Sequence, residues 1–121
     1  MTNVLIVDDS ATMRMIVIKS LRQAGFENIN PIGASSAREA LQRIAQGGVG
    51  LVLSDVNMPE ITGIELVKVI RAKFKELPIV MVTTESSPEM RQKMMEAGAN
   101  GIIIKPFPAE ELTKVLRDYI K

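Results

Sequence analysis

The sequence predicts an α/β fold: a parallel sheet of five strands, doubly wound by helices on both faces, in a single domain spanning residues 1–121. Three observations predict it. Short apolar runs alternate with helical patterns five times along the chain. The runs are continuously apolar, as strands covered on both faces require. The connections between them are short, which suits right-handed crossovers from each strand to a parallel neighbour.

The first run is Val4-Leu5-Ile6-Val7. Behind it, Met13, Ile16, Val17, Leu21 and Ala24 recur at helical spacing, and Gly25 reads as the stop. A weaker strand follows at Asn28 to Ile32. The second helix carries Ala37, Ala40, Leu41 and Ile44, ends at Gly47-Gly48, and opens with capping-box spacing between Ser36 and Glu39. Leu51-Val52-Leu53 is the third run, and Thr62 with Glu65 repeats the capping-box spacing ahead of Ile64, Val67 and Ile70. Ile79-Val80-Met81-Val82 is the fourth. Ser87-Pro88 reads as an N-cap with proline at the first helical position, followed by Met90, Met94, Ala97 and a closing Gly98. Ile102-Ile103-Ile104 is the fifth run, and Leu112, Val115, Leu116 and Tyr119 form the last stripe. Four of the eight methionines, Met13, Met81, Met90 and Met94, fall on core stripes.

Composition removes several function classes. There is no cysteine and no histidine, which excludes disulfides, thiolate metal sites, histidine metal sites and histidine-based triads. A net charge of +1 from 15 basic and 14 acidic residues gives no nucleic-acid footprint. Charged or polar residues interrupt every apolar run before it reaches membrane-span length, and MTNVLIVDDS lacks the basic start of a signal peptide. A cytoplasmic location, with no membrane partner, is expected.

In a doubly wound sheet the ligand site lies beyond the carboxyl ends of the strands. The residues there are Asp8 and Asp9, then Ser54 and Asp55, then Thr83 and Thr84, then Lys105. Each has an ordinary reading alone. Asp9-Ser10 can be a helix cap, Asp55 can hold a turn, Thr83 can end a strand, and Lys105 can be solvated. All of them at the same edge point to one site. Three crowded carboxylates repel unless a cation joins them. Oxygen ligands alone suit Mg²⁺, which takes one or two protein carboxylates and keeps waters. No glycine-rich cradle follows the first strand, so a dinucleotide site is not indicated.

These residues resemble those of the response-regulator receiver family, in its stand-alone chemotaxis (CheY-like) type. The resemblance spans essentially the whole chain. Its motifs are IVDDS at 6–10, SDVNMP at 54–59, VTT at 82–84, Gly98-Ala99, and KPF at 105–107. It implies a flavodoxin-like (βα)5 sandwich with strand order 2-1-3-4-5. It implies Asp55 as phosphoacceptor, and Asp8, Asp9, Asp55 and the backbone carbonyl of Asn57 as ligands of Mg²⁺, or Mn²⁺ in its place. It implies Thr83 as switch hydroxyl, Lys105 as the partner of the phosphoacceptor, and a cis bond before Pro106. Asn57 and Glu85 are placed to tune the lifetime of the phosphorylated form, or are ordinary polar loop residues. The implied partners are a histidine kinase (CheA-like) and a flagellar motor switch protein or a phosphatase, with the chain acting as a monomer.

One position departs from the family. An aromatic residue often stands three positions before the lysine, and here it is Ile102. Isoleucine has no polar tip to act as the aromatic half of the switch, which leaves Thr83, with the loop from Thr84 to Ser87, as the expected sensor. An exposed Ile102 is expected to serve as a contact, on an output face with Arg91, Gln92, Met95, Glu111 and Lys114. A stand-alone receiver of a non-chemotaxis phosphorelay is the alternative within the family, and two readings outside the phosphorylation switch remain open. A phosphatase of the haloacid-dehalogenase kind also uses Asp, Mg²⁺ and lysine, but needs Asp-x-Asp after its first strand, where this chain has Asp8-Asp9-Ser10. A non-phosphorylated scaffold is the other.

Overall fold

The computed structural model describes residues 1–120. Its elements alternate as β1 (Thr2–Val7), α1 (Ala11–Gln23), β2 (Ile29–Ala34), α2 (Ala37–Ala45), β3 (Leu51–Ser54), α3 (Gly63–Lys73), β4 (Ile79–Thr83), α4 (Pro88–Ala97), β5 (Gly101–Ile104) and α5 (Ala109–Leu116). The strands form one parallel sheet in the order β2-β1-β3-β4-β5. This is the flavodoxin-like order.

The weak second run is where the expected boundary moves most. β2 extends to Ala34, in register with β1 from Thr2↔Ile29 to Val7↔Ala34. It is an edge strand, where Pro31 and Gly33 are tolerated.

Side-chain alternation along the strands sorts two cores. Leu5 and Val7 of β1 join α2, α3 and α4 on one face. Val4 and Ile6 join α1 and α5 on the other. Each fully buried Leu or Ile contributes about 1.5–3 kcal/mol, so both faces of the sheet are anchored.

The helices follow the sequence signals, with one correction at a helix end and one on a helix face. Thr62 and Glu65 close a full capping box on α3. Ser36 accepts from the Glu39 amide, but Glu39 Oε2 takes the Ser35 hydroxyl at 3.0 Å, so the box on α2 is half formed. Ile16 does not lie on the core face of α1; it is 45% exposed. The inward face carries Val17 and Leu21, with Ile18 and Ala24 packed beside them. One residue turns the helix by about 100°, which carries Ile16 off that face. Among the described residues no helix is long and apolar enough to cross a membrane.

Candidate functional site

The strand ends deliver their polar residues to one place. A carboxylate oxygen from each of Asp8, Asp9 and Asp55 lies within 4.8 Å of the others. Lys105 Nζ stands 3.4 Å from Asp8 Oδ2 and 3.8 Å from Asp55 Oδ2. These are charge contacts rather than short hydrogen bonds. A run of three isoleucines therefore ends in a lysine because its ammonium faces an acidic pocket.

Local chemistry fixes each acid differently. Ser10 caps α1, its hydroxyl accepting from the Met13 amide at 3.2 Å, so Asp9 is not spent as a cap and stays exposed. Asp8 is buried. Its Oδ1 accepts from the Ser10 amide at 2.9 Å, and its backbone carbonyl accepts from Arg14 Nη1 at 2.7 Å. Arg14 lies over Gly33 of β2, where a Cβ would come within 3.2 Å of its Nε. Asp55 continues β3, its amide donating to the Val7 carbonyl at 3.0 Å, and its Oδ1 accepts from the Val56 amide at 2.8 Å.

Burial pushes the Asp55 carboxyl above its ordinary range. Lys105 and the Val56 amide pull it down, and the neighbouring Asp8 pushes it up again. The desolvation effect wins, because a half-dry carboxylate with an anionic neighbour holds its proton more tightly than a solvated one. A hard cation beside three carboxylate oxygens would reverse that preference. The donor set, all oxygen and mostly anionic, fits such an ion.

Thr83 is fully buried at the end of β4. Its hydroxyl accepts from the Glu85 amide at 3.1 Å, and its carbonyl accepts from the Lys105 amide at 2.8 Å. Asn57 Nδ2 donates to Glu85 Oε1 at 3.3 Å, so the two expected tuning residues meet across the mouth of the pocket. The Lys105–Pro106 bond is cis. Ile102 is half-buried rather than free. It pairs with Met81 of β4 and packs against the core beneath α4, since β5 is an edge strand whose inner face is covered. Of the other expected surface residues, Arg91, Gln92, Met95 and Lys114 are exposed and Glu111 is half-buried. A cavity of about 550 Å³ lies at the opposite end of the sheet, between Gly47–Gly50 and Phe74–Pro78, away from these groups.

Sequence reasoning placed Ser54 at this edge, and it missed two residues next to the pocket: Arg14 and Gly63. Gly63 had a visible signal. A glycine at the first position of a helix, directly after a good cap, suggests a close backbone approach rather than a helix preference.

This strand order and acidic edge define a class, and comparison with known proteins agrees. Residues 4–117 match the response regulator receiver domain, and the chain belongs to that family. It is 43% identical over 115 residues to chemotaxis protein CheY-3 of Vibrio cholerae, covering 93% of this chain and 87% of that one. The structure of Vibrio cholerae CheY4 superposes with a TM-score of 0.85 at 41% identity, covering 98% of each chain. The response regulator TrrA of Thermotoga maritima, solved in complex with Mg²⁺-BeF, superposes at 0.86 and 29% identity over 98% of this chain and 99% of that one. The chain is thus the receiver of a CheY-like response regulator, a part of two-component signalling.

Proposed function

We propose that the chain is a phosphorylation switch in which Asp55 accepts a phosphoryl group from the phosphohistidine of a CheA-like histidine kinase. The observation that carries this reading is the convergence of Asp8, Asp9 and Asp55 with Lys105 beside Asp8 and Asp55. A carboxylate oxygen of Asp55 attacks phosphorus and forms an O–P bond. The P–N bond to the imidazole breaks, and the imidazole leaves with the electron pair. Oδ1 is engaged by the Val56 amide, which leaves Oδ2, beside Lys105, the less encumbered oxygen. Lys105 offsets charge that grows on the phosphoryl oxygens.

Asp8, Asp9 and Asp55, with the carbonyl of Asn57, would hold Mg²⁺ or Mn²⁺. The bound ion supplies charge neutralisation for the phosphoryl group. The Thr83 hydroxyl still has a proton to donate, and giving it to a phosphoryl oxygen would disturb the bond it now accepts from the Glu85 amide. That links occupancy of Asp55 to the loop from Thr84 to Ser87 and to α4. The switch would alter affinity for a protein partner, a flagellar motor switch component or a phosphatase, through Arg91, Gln92, Met95, Ile102, Glu111 and Lys114. Likeness to chemotaxis proteins supports a role in chemotaxis; a cytoplasmic monomer belongs to the same proposal.

The test is intact-protein mass after incubation with acetyl phosphate, with and without Mg²⁺, on wild type and Asp55→Asn. One Mg²⁺-dependent phosphoryl adduct, absent from Asp55→Asn, is expected. An adduct that persists in the variant places the nucleophile elsewhere. Absence of an adduct from every donor, including a phosphorylated kinase, favours a scaffold. Sustained turnover of a free phosphomonoester favours a phosphatase.

A further inference from the structure

The Asp55–Val56 peptide does two jobs at once. Its N–H, from Val56, donates to Asp55 Oδ1 at 2.8 Å and holds the carboxylate. Its C=O, from Asp55, accepts the Ser54 hydroxyl at 2.9 Å. Any tilt of this one plane therefore moves the donor that aims the acid.

The back of the same peptide rests on Gly63. A Cβ built at Gly63 would land on the Asp55 carbonyl oxygen, and would lie 2.9 Å from both the Asp55 carbonyl carbon and Val56 Cα. All three are backbone atoms, so no side-chain rotation relieves the clash. The Gly63 amide in turn donates to the Val56 carbonyl at 2.8 Å. By contrast, a Cβ at Gly98 or Gly101 would meet side chains, of Arg71 or Val115 and Val80, which can shift. Gly63 is also buried and absent from the positive-φ positions. Close approach, rather than an unusual backbone angle, is what requires glycine here.

We propose that Gly63 is a positioning residue for Asp55, acting through the Asp55–Val56 peptide. The start of α3 is seated against that peptide, so the helix fixes the plane whose N–H orients the carboxylate. The proposal rests on the reading of Asp55 as phosphoacceptor. Capping of α3 and aiming of Asp55 are separate functions of adjacent residues, Thr62 and Gly63.

The experiment compares Gly63→Ala with Thr62→Ala, which weakens the same helix end without touching the peptide. Two readouts are taken on folded protein: the rate of adduct formation from acetyl phosphate at saturating Mg²⁺, and the amide NMR shift and exchange protection of Val56. Gly63→Ala is expected to lose about 10- to 100-fold in rate and to shift the Val56 amide. Thr62→Ala is expected to stay within about twofold of wild type in rate and to leave that amide in place, although it melts lower. Equal rates and equal Val56 amides in the two variants would overturn the proposal. If Gly63→Ala does not fold, Ser54→Ala decides. It removes the other restraint on the Asp55 carbonyl, and a slower rate with a shifted Val56 amide supports the proposal, whereas unchanged values overturn it. If wild type takes no phosphoryl group, the functional reading fails, and the Val56 amide alone still decides the positioning.

Discussion

The two ends of the sheet treat charge in opposite ways. At the amino ends of β4 and β5, Arg71 donates to the Gly98 carbonyl at 3.1 and 2.8 Å, to Asn100 Oδ1 at 2.9 Å, and to the Phe74 and Lys75 carbonyls at 2.9 and 2.8 Å. Asn100 Oδ1 also accepts the Ile79 amide at 2.9 Å. Every direction of the guanidinium fork is used. At the carboxyl ends, Lys105 meets two carboxylates only at 3.4 and 3.8 Å, Asp9 is exposed, and Asp55 is pushed toward its protonated form. One end has satisfied its polar groups within the chain. The other holds unspent capacity, which is what a site for an external ion and phosphoryl group needs. A strained acid cluster is a functional signal and a saturated arginine is a structural one.

The largest expected effect, after loss of Asp55 as the proposed acceptor, is at Lys105. Lys105→Met should slow adduct formation from acetyl phosphate by about 100-fold, as removal of one charge-stabilising donor commonly does. Mg²⁺ affinity should rise in the same variant, because a positive charge beside the acidic cluster has been removed. Calorimetric titration of Mg²⁺ checks the second half. Weaker Mg²⁺ binding would mean that Lys105 organises the carboxylates rather than competing with the ion.

Arg71 sharpens the contrast from the other end. Arg71→Ala should lower stability by about 2 kcal/mol, since it strips two charged donors from the part-buried Gly98 carbonyl and three more from exposed acceptors. Arg71→Lys should recover less than half, because one ammonium cannot reproduce a planar fork. Urea midpoints measure both. The acetyl phosphate rate should remain within about twofold of wild type. A rate that falls along with stability would show that the two ends are coupled, and the comparison would break.

The sequence made the carboxyl end far more legible than the amino end. Asp8, Asp9, Asp55, Thr83 and Lys105 each stand directly after an apolar run or one residue further on, so topology alone brings them together. Ser87-Pro88 and Gly98 marked α4 by local chemistry that needs no partner. Arg71, Arg14 and Gly63 escaped because their roles are defined by distant atoms. Arg71 reaches residues 27 and 29 positions away, and Gly63 is constrained by a backbone that only folding brings near. Ile16 was misplaced because two adjacent apolar residues, Ile16 and Val17, gave the periodicity no means of choosing which one faces inward.

The smallest effect tests the premise of the comparison, that the carboxyl end is electrostatically unsatisfied by the chain alone. The Asp55 carboxyl is raised in the fold, first by burial and then by Asp8, against the opposing pull of Lys105 and the Val56 amide. A carboxyl raised above its unfolded value binds its proton more tightly in the native state, so stability falls as pH rises. The stabilising share is complete below the unfolded value and is lost as pH climbs through the folded one. At neutral pH the ionised Asp55 is therefore a liability in metal-free protein. Asp55→Asn, nearly the same shape but uncharged, should be more stable than wild type there by about 1 kcal/mol. The gap should close as pH falls below the ordinary carboxyl range. Mg²⁺ should narrow it from the other side, stabilising wild type more than the variant. Urea titrations at neutral and acid pH, in chelator and then in Mg²⁺, read all of this. If Asp55→Asn is the less stable protein in chelator at neutral pH, then Lys105 and the Val56 amide already satisfy the carboxylate. The acidic end would then be as self-contained as the arginine end, and the difference between them would not be electrostatic.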